Sequence, residues 1–403
     1  MERATRTIRF CMGIGLVVGL LAGSGFGHAD CVGCHETVTP GIVAQHKAGK
    51  MAKVTTCITC HGTGHTSEAD VAKAKMPTPE TCATCHVKQV LEHRQGKHSL
   101  AWTAMEAMPM LRHQPAQVVG AGLAGCSGCH KIGDKPAGAS GHYGSAACDS
   151  CHTRHAFSKK EARDPRACRT CHMGFDHPQW EMWSTSKHGT LWEIDPSSGR
   201  GPTCQTCHMA DGSHSVGTAW GFLAVRLPED DPEWLKDRVT ILQALGVLDA
   251  DGKPTERLEA VKAAKVARLS REEFAESREK MVKICAGCHS RKFAENKLGA
   301  ADGVIREVDK IMARSIRTVT RLYKDGVLKT PSTWKFAPDL LQFYDAPTGI
   351  EQELHLMFLE YRMRAIQGAF HANPDYMHWY GWAKVREAAA RIEEDAQRLR
   401  GKR

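Results

Sequence analysis

The chain has 403 residues, with 54 Lys and Arg against 45 Asp and Glu, a formal charge of +9, and only 6% aromatic residues. No basic run with interleaved aromatics marks a nucleic-acid face, and beyond the N-terminal segment no stretch is apolar enough to span a bilayer. A chain this long can bury a large core, but so few aromatics leave apolar surface to be supplied from elsewhere.

Residues 1–29 read as a cleavable signal peptide: Arg3, Arg6 and Arg9, an apolar glycine-rich run from Phe10 to about Gly27, then the small-residue cleavage pattern Gly27-His28-Ala29. A retained anchor is the other reading, against which stand the short length and the glycines. Export to the periplasm is therefore expected.

From Asp30 onward the chain spells Cys-x-x-Cys-His eight times. The cysteine pairs are Cys31 and Cys34, Cys57 and Cys60, Cys82 and Cys85, Cys126 and Cys129, Cys148 and Cys151, Cys168 and Cys171, Cys204 and Cys207, and Cys285 and Cys288; the histidines are His35, His61, His86, His130, His152, His172, His208 and His289. Two thiols at this spacing reach the two vinyl groups of one porphyrin, and the next residue is placed to become the proximal iron ligand. A lone Cys-x-x-Cys also suits zinc or thioredoxin-like chemistry; eight copies, each ending in His, predict eight covalently bound c-type haems. Sixteen of the seventeen cysteines are used, and Cys11 lies in the leader. Haem propionates, about two per group, would balance much of the Lys and Arg.

Motif starts are separated by 26, 25, 44, 22, 20, 36 and 81 residues, too irregular for identical repeats. Residues 30–219 are expected to form a domain of seven haems, with short helical turns joined by Gly-, Pro- and Ser-rich loops. Residues 220–403 read as a helical domain carrying haem 8. There Asp231-Pro232 caps a helix running to Gly246, and Ser270 opens the helix that delivers Cys285. Three further helices are expected at about 304–325, 350–370 and 373–399, with apolar residues recurring at three and four, as at Val308, Ile311, Met312, Ile316, Val319 and Leu322. The predicted fold is mainly α: a multihaem cytochrome c body with long loops plus a C-terminal helical bundle.

Thirteen histidines remain beyond the proximal set and the leader. A pure electron carrier wants eight distal ligands, whereas an enzyme with one open iron wants seven. The candidates are His46, His65, His98, His142, His155, His188 and His214; His93 is an alternative to His98, and His113 a possible eighth. His355, His371 and His378 fall in the expected bundle and are read as packing or solvent residues.

The stretch from Cys148 through His152, Thr153, Arg154 and His155, on through Cys168-Arg-Thr-Cys-His172-Met-Gly-Phe-Asp176-His177-Pro-Gln-Trp-Glu-Met-Trp-Ser-Thr-Ser-Lys-His188, resembles the octahaem hydroxylamine oxidoreductase family. So do the haem order, the segment around Cys204 and Cys207, and the helical C-terminus. The resemblance implies a catalytic fourth haem, held by Cys126, Cys129 and His130, with an Asp176–His177 pair above its open iron and seven bis-histidine haems leading electrons away. An imidazole titrating near neutrality beside a carboxylate suits chemistry that moves protons with electrons. The other reading makes His177 a haem ligand and pairs Asp176 with an arginine.

In oxidising members of that family a tyrosine near the C-terminus is bonded to the catalytic porphyrin of a neighbouring subunit. Tyr376, in preference to Tyr380, matches its setting, so haem 4 is expected to be cross-linked to it; the alternative is an ordinary packed aromatic. The expected activity is oxidation of hydroxylamine or a related compound such as hydrazine. A nitrite or hydroxylamine reductase and a non-catalytic carrier are the alternatives. A redox-partner cytochrome or quinone-linked protein and a homotrimer are implied, and no nucleic-acid partner.

Overall fold

The computed structural model describes residues 30–102, 126–133, 147–174, 177–217, 228–263 and 270–401, with isolated positions between. The leader, His113, His142, Asp176 and the expected domain boundary near 219 lie outside the described residues. The described residues are mainly helical and contain no strand; one antiparallel bridge joins Leu248 and Pro254. This is the expected fold class.

Up to Gly217 the helices are short. Cys57–His61 and Cys204–His208 are single turns, each opened by a threonine, Thr56 or Thr203, that exchanges hydrogen bonds reciprocally with Thr59 or Thr206. One helical turn puts the two cysteines on the same face and hands the histidine to the next position. Two longer pieces follow the sixth motif, α1 (Gln179–Ser184) and α2 (Lys187–Ile194). Trp180, Trp183 and Trp192 pack there with tilted rings at spacings of 5.5 Å, and Trp183 Nε1 donates to Pro202 O at 2.9 Å.

The C-terminal half is built from α3 (Pro232–Ala244), α4 (Arg271–Cys285), α5 (Arg291–Lys324), α6 (Gly349–Leu356), α7 (Met363–Phe370) and α8 (Ala383–Gly401). Asp231 and Ser270 cap α3 and α4 as the sequence predicts, accepting from Trp234 N and Glu273 N. The 34-residue α5 starts at Arg291, well before the expected 304. Ser290 caps it, and its buried face runs unbroken through Ala294, Leu298, Ala301, Ile305, Val308 and Met312. Gly299 and Gly303 lie on its exposed side, where a Cβ at either would meet nothing within 4 Å. π-helical turns at Met357–Arg362 and Met377–Trp382 carry α6 into α7 and Pro374 into α8.

Around α5 lies one continuous apolar core including Ile241, Leu245, Val308, Met312, Val319, Leu322, Leu354, Phe358, Val385 and Ile392. Inside it sits a charged group: Asp309 forms ion pairs with Arg238 at 2.6 Å and Arg362 at 2.9 Å, and accepts hydrogen bonds from Arg362 Nε at 3.0 Å and Trp234 Nε1 at 2.8 Å. Its carboxylate bridges α3, α5 and the π-turn, holding them in one register. Asn373 locks this half onto the first, its amide donating to Met182 O at 2.8 Å and Thr185 Oγ1 at 2.7 Å.

Candidate haem and substrate site

The sixteen motif cysteines form no disulfide with one another, which leaves them for thioether bonds. Fourteen of them, all but Cys34 and Cys288, line one continuous cavity of about 3040 Å³ together with the eight motif histidines. Single small-molecule sites are typically about 300–1,000 Å³, so this space suits several large planar groups in contact.

Two imidazoles on opposite sides of one metal, each with its nitrogen about 2 Å away and its ring centre about 1 Å further, hold their centroids about 6 Å apart. Histidine pairs recur at that spacing: His35 with His65 at 6.1 Å, His61 with His155 at 6.2 Å, His152 with His214 at 6.3 Å, His172 with His98 at 6.1 Å and His289 with His188 at 6.1 Å. Each joins a motif histidine to a sequence candidate, so His65, His98, His155, His188 and His214 stand where distal ligands belong. His86 and the candidate His46 are not matched at this spacing among the described residues.

The reading of His371 needs correction. Its ring stands 6.4 Å from that of His208, opposite the seventh motif, rather than serving only in bundle packing. Its two companions fit the expectation, His355 packing against Trp334 and His378 against Trp379. The signal missed is position: His371 ends α7 just before Asn373-Pro374 turns the chain, at the bundle's edge and not on its apolar face.

Hydrogen bonds at Nδ1 orient many of these rings and turn Nε2 toward the cavity. His61, His130 and His208 face the carbonyls of Lys75, Ala101 and Gly217 at 2.9, 3.0 and 2.8 Å, and His35 faces Thr39 Oγ1 at 2.7 Å. Two of the facing rings lie against carboxylates: His65 Nδ1 is hydrogen-bonded to Asp70 at 3.1 Å, and His214 Nδ1 lies 3.6 Å from Glu92. His172 differs in facing a side-chain amide, Gln179 Oε1 at 3.3 Å. Burial, and then neighbouring imidazoles, push His98 and His172 down to about 4, so both are neutral near pH 7, the form that ligates iron.

Cysteines of adjacent motifs also approach one another. Cys57 interacts with Cys31, Cys60 with Cys82, Cys82 with Cys148, Cys151 with Cys168, Cys168 with Cys204 and Cys207 with Cys285. The attachment sites thus follow the order 1, 2, 3, 5, 6, 7, 8. The fourth joins at the sixth through His177, whose ring is 6.1 Å from His130 and 6.2 Å from His172.

Of the residues assigned to catalysis, His177 is therefore on the cavity side of His130, and Asp176 lies outside the described residues. Tyr376 is 8% exposed and stacks on Tyr380 of its own chain at 4.8 Å, whereas Tyr380 is 51% exposed. Burial raises the Tyr376 phenol above its ordinary pKa.

Paired thiols, facing imidazoles and a shared cavity define a multihaem c-type cytochrome, and the chain belongs to the family described as "seven times multi-haem cytochrome CxxCH", which matches residues 52–219 and 257–335. It is similar to a probable nitrite reductase–hydroxylamine oxidoreductase fusion protein of Kuenenia stuttgartiensis, 26% identical over 92% of this chain, and spans about half (51%) of that protein. Among solved structures it resembles a reducing hydroxylamine-oxidoreductase-like complex of the same organism, with a TM-score of 0.70, 26% identity, and 92% of this chain and 84% of that one covered. A hypothetical multihaem protein shares the fold, with a TM-score of 0.65, 22% identity, and coverage of 92% and 95%.

Proposed function

We propose that the chain is an exported, periplasmic octahaem oxidoreductase that reduces a small nitrogen compound such as nitrite or hydroxylamine at the fourth haem. The fourth motif, Cys126, Cys129 and His130, would hold the iron that binds the substrate nitrogen and passes it electrons. Such reductions take up protons as well as electrons; His177, whose ring is the neighbour of His130 in the cavity, would deliver them, its ring swung clear of the iron. Asp176 would hold its imidazole in the delivering orientation. Electrons would arrive along the line of attachment sites and branch to the fourth at the sixth, from a partner cytochrome or quinone-linked protein.

The observation that carries the direction is the burial of Tyr376. A bond to a neighbouring subunit's porphyrin needs a phenol presented outward, and this one is packed within its own chain. That favours reduction over the hydroxylamine oxidation expected from the resemblance. The solved relative is itself described as reducing. Tryptic peptides of the purified holoprotein test this: the fragment containing Tyr376 should be unmodified, and reduced viologen should drive loss of nitrite or hydroxylamine. A haem-linked Tyr376 peptide, with hydroxylamine oxidation, would reverse the direction and add an intermolecular contact of the kind a homotrimer provides.

One observation favours a second reading, an electron carrier without catalysis. The 6.1 Å between His130 and His177 equals the spacing of the paired ligands, as it would if His177 closed the fourth iron. A ferric high-spin component that cyanide titrates supports the reductase; its complete absence leaves the carrier.

A further inference from the structure

We infer that Glu181 is a positioning and proton-relay residue acting through His177: one carboxylate oxygen clasps the segment that carries Asp176 and His177, and the other takes protons from the Tyr376 phenol. This rests on reduction at the fourth haem and names where its protons come from. The segment between the sixth motif and α1 is tied at four points. Trp180 N donates to His172 O at 3.0 Å, Gln179 N to His177 O at 2.9 Å and Gly174 N to Glu181 Oε1 at 3.1 Å, while His172 Nδ1 meets Gln179 Oε1 at 3.3 Å. Only the Gly174 tie uses a carboxylate. Its second oxygen, Oε2, is buried and has no hydrogen-bond partner among the described residues. Clasping the backbone accounts for one oxygen and leaves the buried second one to be explained.

The C-terminal half supplies what faces it. Asn373 seats Tyr376 on α1: its amide donates to Met182 O and Thr185 Oγ1, and its Oδ1 accepts from Tyr376 N at 2.9 Å. Burial raises the Tyr376 phenol, Arg364 opposes that, and the nearby Glu181, Tyr380 and Glu360 add to it. Tyr376 stacks at 4.8 Å on Tyr380, which reaches solvent, and Arg364 pairs with Glu360 at 2.7 Å, with Lys384 near that carboxylate. Exposed phenol, buried phenol and buried carboxylate thus follow one another from the surface inward. Each hydroxylamine reduced takes up two electrons and two protons as its N–O bond breaks, leaving ammonia and water. His177 would give a proton to the substrate, Glu181 would replace it, and Tyr376 and Tyr380 would reload Glu181 from solvent, with electrons from the partner protein.

The test uses the holoprotein with Glu181→Gln, whose amide oxygen still accepts from Gly174 N but cannot pass a proton. With reduced viologen, kcat for hydroxylamine should fall by about tenfold or more, and its solvent deuterium isotope effect should rise. Cyanide should titrate the same ferric high-spin component as in wild type, which a displaced loop would alter. Glu181→Asp, which restores an acid, should recover part of the rate. Should Glu181→Gln fail to accumulate haem, Tyr376→Phe is the second arm and should lower kcat and raise the isotope effect likewise. A reductase with wild-type kcat and isotope effect in Glu181→Gln, or in Tyr376→Phe, overturns the relay while the reductase reading stands. A wild-type protein that neither binds cyanide nor reduces hydroxylamine overturns both.

Discussion

Between Asp30 and Gly217 the buried apolar side chains among the described residues are Val43, Val90, Ala147, Met182 and Trp183. The helices from Pro232 onward bury a continuous core threaded by the long α5. The first half has too little apolar burial of its own to offset the conformational entropy of ordering its loops. Its order depends on groups filling the cavity and on histidines meeting across them. In the second half, packing suffices, and its ionic group is a structural brace instead of a cofactor mount.

The largest effect should come from withholding haem. Produced without thioether attachment, the chain should keep much of its C-terminal helicity while the part before Gly217 is digested, leaving a resistant fragment from about residue 228 to 401. Circular dichroism and mass spectrometry of the fragments read this directly. If the two halves melt and digest together, the contrast between them is wrong and haem organises the whole molecule.

Next in size is Asp309→Asn, aimed at the second half alone. Removing one partner from a buried ionic group costs about 3–5 kcal/mol, and here an amide would replace the carboxylate between two fully buried guanidiniums. Urea denaturation of the holoprotein should register that loss with the haem spectrum of the folded state unaltered. Burial pushes the Asp309 carboxyl up, but Arg238 and Arg362 outweigh it and hold it below the usual carboxylate range. A depressed folded-state pKa stabilises above the unfolded value, about 4, and that stability disappears as pH falls through the folded value. The asparagine variant should lack this acid-side loss.

What was readable in advance divides along the same line. Eight pentapeptides announce the attachment sites because thioether chemistry is local, and helix caps at Asp231 and Ser270 announce helix starts for the same reason. Five of the seven distal candidates meet a motif ring, since most sit in loops of the haem half itself. His371 was illegible because its position opposite His208 depends on how a distant helix pair docks, which no local pattern encodes. The early start of α5 was hidden by two glycines whose exposed side of the helix becomes visible only once its packing is known.

The smallest predicted effect lies where the two halves exchange hydrogen bonds. Gln179 accepts from His172 Nδ1 at 3.3 Å through Oε1, and its amide donates to Gln367 Oε1 at 3.0 Å; Gln367 O in turn receives His371 Nδ1. A helix of the bundle is thereby linked to the ring behind the sixth motif and to the ring facing the seventh. An acceptor at Nδ1 makes an imidazole a better electron donor to its metal and stabilises the oxidised state. Gln179→Leu removes the acceptor while keeping similar bulk at a half-buried site, so folding should be little changed and one haem midpoint potential should rise. The carbonyl-held rings of His61, His130 and His208 should keep their potentials. A spectroelectrochemical titration that finds every midpoint unmoved, or one lowered, would show that the long Gln179 contact does not tune its iron, leaving the bundle to influence the haem half through His371 and Asn373 alone.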